Sequence, residues 1–203
     1  MILYTVLSIV TALATATDLP EITPRLFSNP GNCYSWPTSP FQLIVSSAED
    51  PAINGLTAEP YDIIFPSKVL PLLAIDLRAS RRFAKTRYIC SAGQPSISSG
   101  GGKLGICQDR NNGHILLNAP AEKVLVPELY EHVIDGVATE GRFLGVKGQT
   151  TWGFRYTPMS CGGNDTTSTR DYYEVKVLGL PESEYDTVGY EVEFRGFLKV
   201  VQV

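Results

Sequence analysis

The sequence predicts an all-β protein, an antiparallel β-sandwich or barrel with about ten strands and at most one short helix. The clearest evidence lies in residues 190–203, where apolar side chains mostly occupy even positions and charged side chains occupy odd ones. Successive side chains of a strand point to opposite faces, so this segment has one apolar face and one solvated face. Such a pattern is typical of an antiparallel sheet that packs on one side only. Elsewhere short apolar runs alternate with turn-forming residues, and no fixed-period repeat indicates a solenoid or propeller.

The first sixteen residues have the pattern of a signal peptide. Residues 2–16 carry no charge, and the run ends in Ala14-Thr15-Ala16, the small-x-small pattern that signal peptidase accepts. The run is shorter than the roughly 20 apolar residues of a transmembrane helix, although only the amino terminus supplies positive charge before it. A buried strand or a membrane anchor is the alternative. We expect a signal peptide over residues 1–16 and a secreted protein, extracellular or in the cell wall.

Length and charge limit the architecture and the partners. The chain has 203 residues and a formal net charge of −4. We divide it, after the signal peptide, into a Pro-rich lead-in over residues 17–40 and a single β domain over residues 41–203. The mildly acidic balance gives no electrostatic reason to expect nucleic acid or an anionic membrane as partner. No second apolar run is long enough to cross a membrane, so we expect no integral membrane span, and we expect a monomer.

The expected strands follow one another at short, turn-marked intervals. They cover residues 41–46, 61–65, 69–77, 88–90, 103–108, 114–118, 142–147, 151–156, 172–178 and 190–203. Asn112-Gly113 provides the positive φ angles of a tight hairpin turn, and Pro66 and Pro71 favour short or edge strands. Residues 127–131 are the one place where a helical turn is expected, because a proline followed by glutamate suits the first turn of a helix.

Four cysteines, Cys33, Cys90, Cys107 and Cys161, predict two disulfides in an exported chain, with three possible connectivities. We pair Cys90 with Cys107, because they are close in sequence and a flexible Gly-rich segment separates them. That leaves Cys33 with Cys161. Asn164 begins the single glycosylation sequon and lies in a polar stretch. No Cys-x-x-Cys spacing occurs and the chain has two histidines, so we expect no metal site.

Two motifs raise the question of cofactor binding or catalysis. Gly100, Gly102 and Gly105 match G-x-G-x-x-G, but the flanks are a Ser/Gly loop and a short strand rather than a strand and a helix. We therefore expect a loop there and no cofactor. His114 and His132 are candidates for a catalytic histidine, but neither has a partner at an informative spacing. A hydrogen-bonded residue at the surface or at a strand edge is the expected role of each.

Carboxylate pairs suited to glycoside hydrolysis occur in two polar connections. The first is Glu49 with Asp50, and the second is the group Glu182, Glu184 and Asp186. Both lie beside proline or glycine, where carboxylates are usually solvated, and the second lacks the spacing of a calcium loop. We assign no catalytic residue and expect no enzymatic activity.

Residues 78–87 are the strongest charge feature of the chain. Their basic side chains are Arg78, Arg81, Arg82, Lys85 and Arg87. These residues are candidates for binding an anionic glycan or phospholipid, and Arg81-Arg82 also has the form of a dibasic processing site. A solvated, curved sheet edge is the simpler interpretation, because positive charge discourages edge-to-edge pairing.

Aromatic side chains are candidates for stacking on sugar rings. The candidate residues are Trp36, Trp152, Tyr156, Tyr172 and Tyr173. The alternative is that these residues belong to the core and to cross-strand pairs, where most tyrosines of β-proteins are found.

Two segments carry a resemblance to known proteins. Residues 39–47 read Ser-Pro-Phe-Gln-Leu-Ile-Val-Ser-Ser, and residues 51–55 read Pro-Ala-Ile-Asn-Gly. With the export signal and the later Trp152-Gly153-Phe154, Cys161 and Tyr172-Tyr173-Glu174-Val175, the chain resembles small secreted ascomycete fungal proteins. The resemblance implies a disulfide-bonded β-sandwich whose relatives are wall-associated or interact with a host.

These observations lead to one expected function and two alternatives. We expect a secreted, non-enzymatic binding protein, wall-associated or effector-like, whose partner is a cell-wall polysaccharide or a host protein. A carbohydrate-binding module is the first alternative, and a glycan-acting hydrolase is the second.

Overall fold

The computed structural model of the chain is all-β, as the sequence predicts. It describes residues 18–27, 32–65, 68–77, 85–99, 102–108, 113–118, 124–158, 171–181 and 192–203. The predicted signal peptide, Asn164, Cys161 and the acidic group Glu182, Glu184 and Asp186 lie outside these ranges. No helix in the described ranges is long and apolar enough to cross a membrane.

Within the described residues the chain forms fifteen strands and a single 3₁₀ turn, Pro51–Ile53. The strands are β1 (Thr23–Leu26), β2 (Phe41–Ser46), β3 (Glu59–Phe65), β4 (Lys68–Asp76), β5 (Tyr88–Ser91), β6 (Gln94–Ile97), β7 (Leu104–Cys107), β8 (Ile115–Leu117), β9 (Val124–Leu125), β10 (Glu128–Ile134), β11 (Val137–Ala138), β12 (Arg142–Gly145), β13 (Trp152–Thr157), β14 (Tyr172–Val177) and β15 (Phe194–Gln202).

The strands pair antiparallel throughout and form two layers. In the first layer the order is β1-β10-β12-β15-β2-β5-β6, and β11 pairs with β10. In the second layer β15 pairs with β13, β13 pairs with β14, and β14 pairs with β4. Strand β4 also pairs with β3 and β8. The short strands β7 and β9 complete that layer beside β8. We call these the first sheet and the second sheet.

Strand β15 belongs to both sheets and connects them. Its first residues pair with β13, whereas residues from Phe197 onward pair with β2 and β12. Gly196 lies where the strand passes from one sheet to the other. A Cβ atom built there would lie 2.9 Å from the Ala48 Cα atom and 3.1 Å from a ring carbon of Phe154. Only glycine permits this close approach without a backbone shift.

The described residues form two hydrophobic clusters, and the larger one contains buried side chains from both sheets. The first sheet contributes Phe41, Leu43 and Leu198, and the second contributes Trp152 and Phe154 among others. The Trp152 indole is fully buried, and its N–H group donates a hydrogen bond of 2.9 Å to the Leu144 carbonyl oxygen. The buried N–H group therefore has a partner in the other sheet. Buried positions alternate along β2, whereas β7 and β8 are buried at every position.

Two expectations about elements are wrong. The strand count is fifteen rather than about ten, because β1 forms within the expected lead-in and short strands such as β6, β9 and β11 add to the sheet. Residues 127–131 do not form a helical turn. They open β10, where Leu129 lies in the core and the strand pairs with both β1 and β12, so tertiary pairing overrides the local preference.

Both predicted disulfide pairings are also wrong, and the described residues contain one disulfide rather than two. Cys33 is bonded to Cys90, with a Cα–Cα distance of 5.5 Å, and this bond joins the lead-in to β5. Cys90 does not reach Cys107, because β6 turns back onto β5 and places Pro95 opposite Cys90. Cys107 is buried on β7 in the second sheet. The segment between the two cysteines is therefore partly strand rather than a single flexible loop.

Candidate functional site

The ladder between β13 and β14 carries aromatic side chains from the core to the surface. Its register pairs Trp152 with Val177, Phe154 with Val175 and Tyr156 with Tyr173. Because alternate residues share a face, Trp152, Phe154 and Tyr156 all point inward. Trp152 and Phe154 are buried, whereas Tyr156 is 37% exposed. The ladder therefore extends beyond the margin of the core, and its last inward positions are open to solvent.

Three aromatic side chains form a row at this margin, and we call Tyr156, Tyr173 and Phe194 the aromatic rim. The Tyr156 and Tyr173 ring centroids are 5.4 Å apart, and the Tyr173 and Phe194 centroids are 6.5 Å apart. Neighbouring rings are inclined by 55° and 58°. Tyr173 and Phe194 pack against the core on one side. The row is therefore a supported, stepped surface rather than a flat platform.

Two carboxylates flank the aromatic rim. Glu193 accepts a hydrogen bond of 3.2 Å from the Tyr156 backbone N–H. Asp50 accepts one of 2.9 Å from the Ala52 N–H and so caps the 3₁₀ turn. Burial raises the pKa of Tyr173, and the negative charges of Asp50 and Glu193 raise this pKa further. Both carboxylates therefore act electrostatically on the centre of the rim.

Glu49, predicted as the partner of Asp50 in a carboxylate pair, has a structural role instead. Its carboxylate accepts hydrogen bonds from the Arg195 guanidinium and, at 2.7 Å, from the Arg195 backbone N–H. Burial opposes ionisation of Glu49, but these bonds and the charge of Arg195 leave its pKa below the usual value. The ion pair joins the segment that contains Asp50 to β15 and so holds one flank of the aromatic rim in place.

The opposite face of the same ladder carries a polar cluster. Glu174 accepts hydrogen bonds from Arg155 at 2.6 Å and from Thr157 at 3.3 Å, and its carboxylate lies 3.7 Å from the His114 ring. Burial would raise the pKa of Glu174, yet His114 and Arg155 together lower it. The adjacent Tyr172 stacks on Tyr61 with a centroid separation of 4.2 Å. We call His114, Arg155, Thr157, Tyr172 and Glu174 the polar cluster.

The second histidine lies among aromatic rings on the first sheet. His132 is 2% exposed, stacks on Phe143 at 3.6 Å, and meets the edge of Phe197 at 4.5 Å. Its Nε2 atom lies 3.0 Å from the Thr150 hydroxyl. Burial lowers the pKa of His132 to about 4, so the ring is neutral at pH 7. These contacts indicate a packing role for His132.

The proposed sugar-stacking residues do not form one surface. Trp36, Trp152 and Tyr172 are buried, so they cannot stack on a sugar in this conformation, whereas Tyr156 and Tyr173 lie together at the margin. Sequence reasoning missed Phe194 as their neighbour. The alternating pattern of the last strand places Phe194 on its apolar face. That pattern does not show which strand pairs with the last strand, so the neighbours of Phe194 could not be predicted.

The remaining candidate residues pack within strands or lie outside the described ranges. Gly105 lies within β7, and a Cβ atom there would be 2.7 Å from Val124, so this glycine permits close strand packing rather than phosphate binding. Gly100 is outside the described residues, as are Arg78, Arg81 and Arg82, and of the basic stretch only Lys85 and Arg87 are described. The described residues contain no group of three or more His, Cys, Asp or Glu side chains placed to hold a metal ion.

Comparison with known proteins adds no assignment. No protein-family model matches the chain, and no curated protein matches it at a significant level.

Proposed function

We propose that the protein is a secreted, non-enzymatic binding protein of the extracellular space, wall-associated or effector-like. Its ligand is carbohydrate of the cell wall or of a host surface, and the aromatic rim is the contact surface. The disulfide between Cys33 and Cys90 supports export, because such bonds persist in oxidising compartments.

The observation that carries the proposal is the exposed Tyr156 ring beside the half-buried rings of Tyr173 and Phe194. Flat apolar faces of Tyr and Phe rings match the C–H faces of sugar rings, and a ligand stacked there removes apolar surface from water. Tyr173 and Phe194 are held by the core behind them, so little conformational entropy is lost when a ligand binds. The nearby carboxylates add hydrogen-bond acceptors for sugar hydroxyls.

The polar cluster supports binding rather than hydrolysis. A glycosidase of the usual type keeps one carboxyl protonated near pH 7 by raising its pKa. In the polar cluster the pKa of Glu174 is instead lowered by His114 and Arg155, which favours an ionised group that accepts hydrogen bonds. A glycan-acting hydrolase remains the competing hypothesis. It predicts release of reducing ends from a wall polysaccharide and loss of that activity in Glu174→Gln.

A glycan array probed with the protein lacking residues 1–16 tests the proposal. We expect retention on a subset of wall polysaccharides or host glycans. Tyr156→Ala should weaken binding about fivefold or more, because loss of one stacking ring removes on the order of 1 kcal/mol. Tyr156→Phe, which keeps the ring, should bind like the parent protein.

Tyr34→Ala is the matched control, because Tyr34 is 97% exposed on the lead-in and is not a member of the aromatic rim. Its binding should equal that of the parent protein, and the melting temperatures of all variants should agree within a few degrees. If the array retains nothing, or if Tyr34→Ala and Tyr156→Ala lose binding equally, the proposed function is wrong.

A further inference from the structure

The charge around the aromatic rim is not balanced. Ion pairs within the described ranges join Glu49 to Arg195, Glu131 to Arg25 and Arg142, and Glu174 to Arg155. Asp50 and Glu193, the two carboxylates beside the rim, have no such cationic partner among the described residues. Their hydrogen bonds come from backbone N–H groups, each of which satisfies a single oxygen atom. Two negative charges therefore stand next to three aromatic faces.

Aromatic faces attract cations as well as apolar groups. The ring quadrupole is negative above the plane, and a cation within about 6 Å of a ring centroid is stabilised by about 0.5–1 kcal/mol at an exposed site. Carboxylates beside the ring increase that attraction, because the potentials of both groups have the same sign. The aromatic rim is thus complementary to a ligand that combines flat apolar faces with positive charge.

We infer that the aromatic rim selects a saccharide that carries protonated amino groups, such as a polymer of glucosamine units, over a neutral glycan. This inference rests on the proposed carbohydrate-binding function and names the ligand class. Sugar rings would stack on Tyr156 and Tyr173, and the amino groups would face Asp50 and Glu193. The stepped arrangement of the rings suits consecutive sugar units better than a single flat ligand.

Isothermal titration calorimetry with three oligosaccharides of equal length tests the inference. The probes are an oligomer of glucosamine, its N-acetylated counterpart, and a neutral β-glucan oligomer, all at the same pH and low salt. We expect the glucosamine oligomer to bind about tenfold more tightly than the N-acetylated one. Each of two cation contacts should raise the affinity about threefold to fivefold, and the two gains multiply. Raising the ionic strength should reduce this preference, because salt screens exposed charges.

The paired substitution Asp50→Asn with Glu193→Gln isolates the charges. Both amides retain an oxygen that can accept the existing backbone hydrogen bonds, so the 3₁₀ turn and the rim should keep their geometry. The preference for the amine should fall to within about twofold, because the glucosamine oligomer should lose more affinity than its N-acetylated counterpart. The control Asp62→Asn with Glu140→Gln removes the same net charge from exposed positions outside the rim and should retain the preference.

Each outcome decides between the two claims. Equal binding of the three oligosaccharides, or an equal loss of preference in the control variant, would overturn the amino-sugar assignment and leave carbohydrate binding intact. No binding of the glucosamine oligomer would also reject the amino-sugar assignment, whereas only the absence of retention on the glycan array would overturn the proposed function itself. Tighter binding of a lysine-rich peptide than of the glucosamine oligomer would show that the rim recognises a basic protein partner, and would also reject the inference.

Discussion

His132 illustrates how the fold determines the chemistry of a single residue. The ring lies between Phe143 and Phe197, and its one described polar partner is the Thr150 hydroxyl. A charged imidazole in this position would lose hydration without gaining an anion, so the neutral form is favoured. The contribution of His132 to the stability of the fold therefore depends on pH.

We predict that His132 makes the protein less stable as pH falls from about 6.5 to about 4. The folded-state pKa is about 4 and the unfolded value is near 6.5, so the unfolded chain binds the extra proton first. The stabilising contribution is complete above pH 6.5 and decreases as pH falls through this window, by at most about 3 kcal/mol. Urea unfolding at pH 7, 5 and 4 measures it.

The variant His132→Gln provides the comparison, because glutamine does not titrate and can still hydrogen-bond to Thr150. Its free energy of unfolding should change less between pH 7 and pH 4 than that of the parent protein. Glu174 adds a separate acid effect, since its lowered pKa means that its contribution is lost only below the usual glutamate range. Equal pH dependence of the two proteins above pH 5 would contradict the role of His132.

Strand β15 connects the two sheets, because it pairs with β13 in one and with β2 and β12 in the other. Phe194 at its start belongs to the aromatic rim, and Leu198 further along lies in the core. Gly196 between them lies against Ala48 and Phe154. The geometry of the rim therefore depends on how closely β15 approaches its neighbours at this residue.

We predict that Gly196→Ala destabilises the protein by about 1–3 kcal/mol, the usual cost of overpacking. The added methyl group would come within 2.9 Å of the Ala48 backbone, which can yield only if β15 or the Ala48 segment moves. Chemical denaturation measures the loss. A stability equal to that of the parent protein would show that the two sheets are less tightly joined at this position.

The disulfide is the covalent constraint that acts on the whole molecule. Cys33 and Cys90 are 57 residues apart, so the bond closes a long loop between the lead-in and the first sheet. On the chain-entropy model a loop of this length stabilises the folded state by about 4 kcal/mol. Replacement of both cysteines by serine should lower the melting temperature by roughly 10 °C or more, as measured by calorimetry. A change of only a few degrees would show that the lead-in is held mainly by other contacts.

The bond also restricts the remaining cysteines. Because Cys33 and Cys90 are bonded to each other, Cys90 cannot pair with Cys107 and Cys33 cannot pair with Cys161. We predict that non-reducing peptide mapping of the protein yields a linked pair of peptides that contain Cys33 and Cys90. A linked peptide with Cys90 and Cys107 would contradict both the pairing and the position of β5.

Much of the architecture was predictable from local pattern. Alternation in residues 190–203 correctly assigned Leu198 and Val200 to the core face, and the pattern of residues 172–178 did the same for Val175 and Val177. The helical turn was mistaken, because the local preference of residues 127–131 is weaker than pairing with two neighbouring strands. Strand pairing partners, and hence the disulfide, were not predictable from spacing.

By itself the sequence determined that the chain is built of strands, and which side chains of each strand share a face, because the period of two is a property of the extended backbone. Trp152 and Tyr156 share the inward face of β13, yet Trp152 is buried and Tyr156 is exposed, a difference that appears once the sheets pack together. The physical reason is that exposure depends on how far the opposing sheet extends over the strand. Long-range packing sets that extent, and it likewise brought Tyr173, Phe194, Asp50 and Glu193 together from separate parts of the chain.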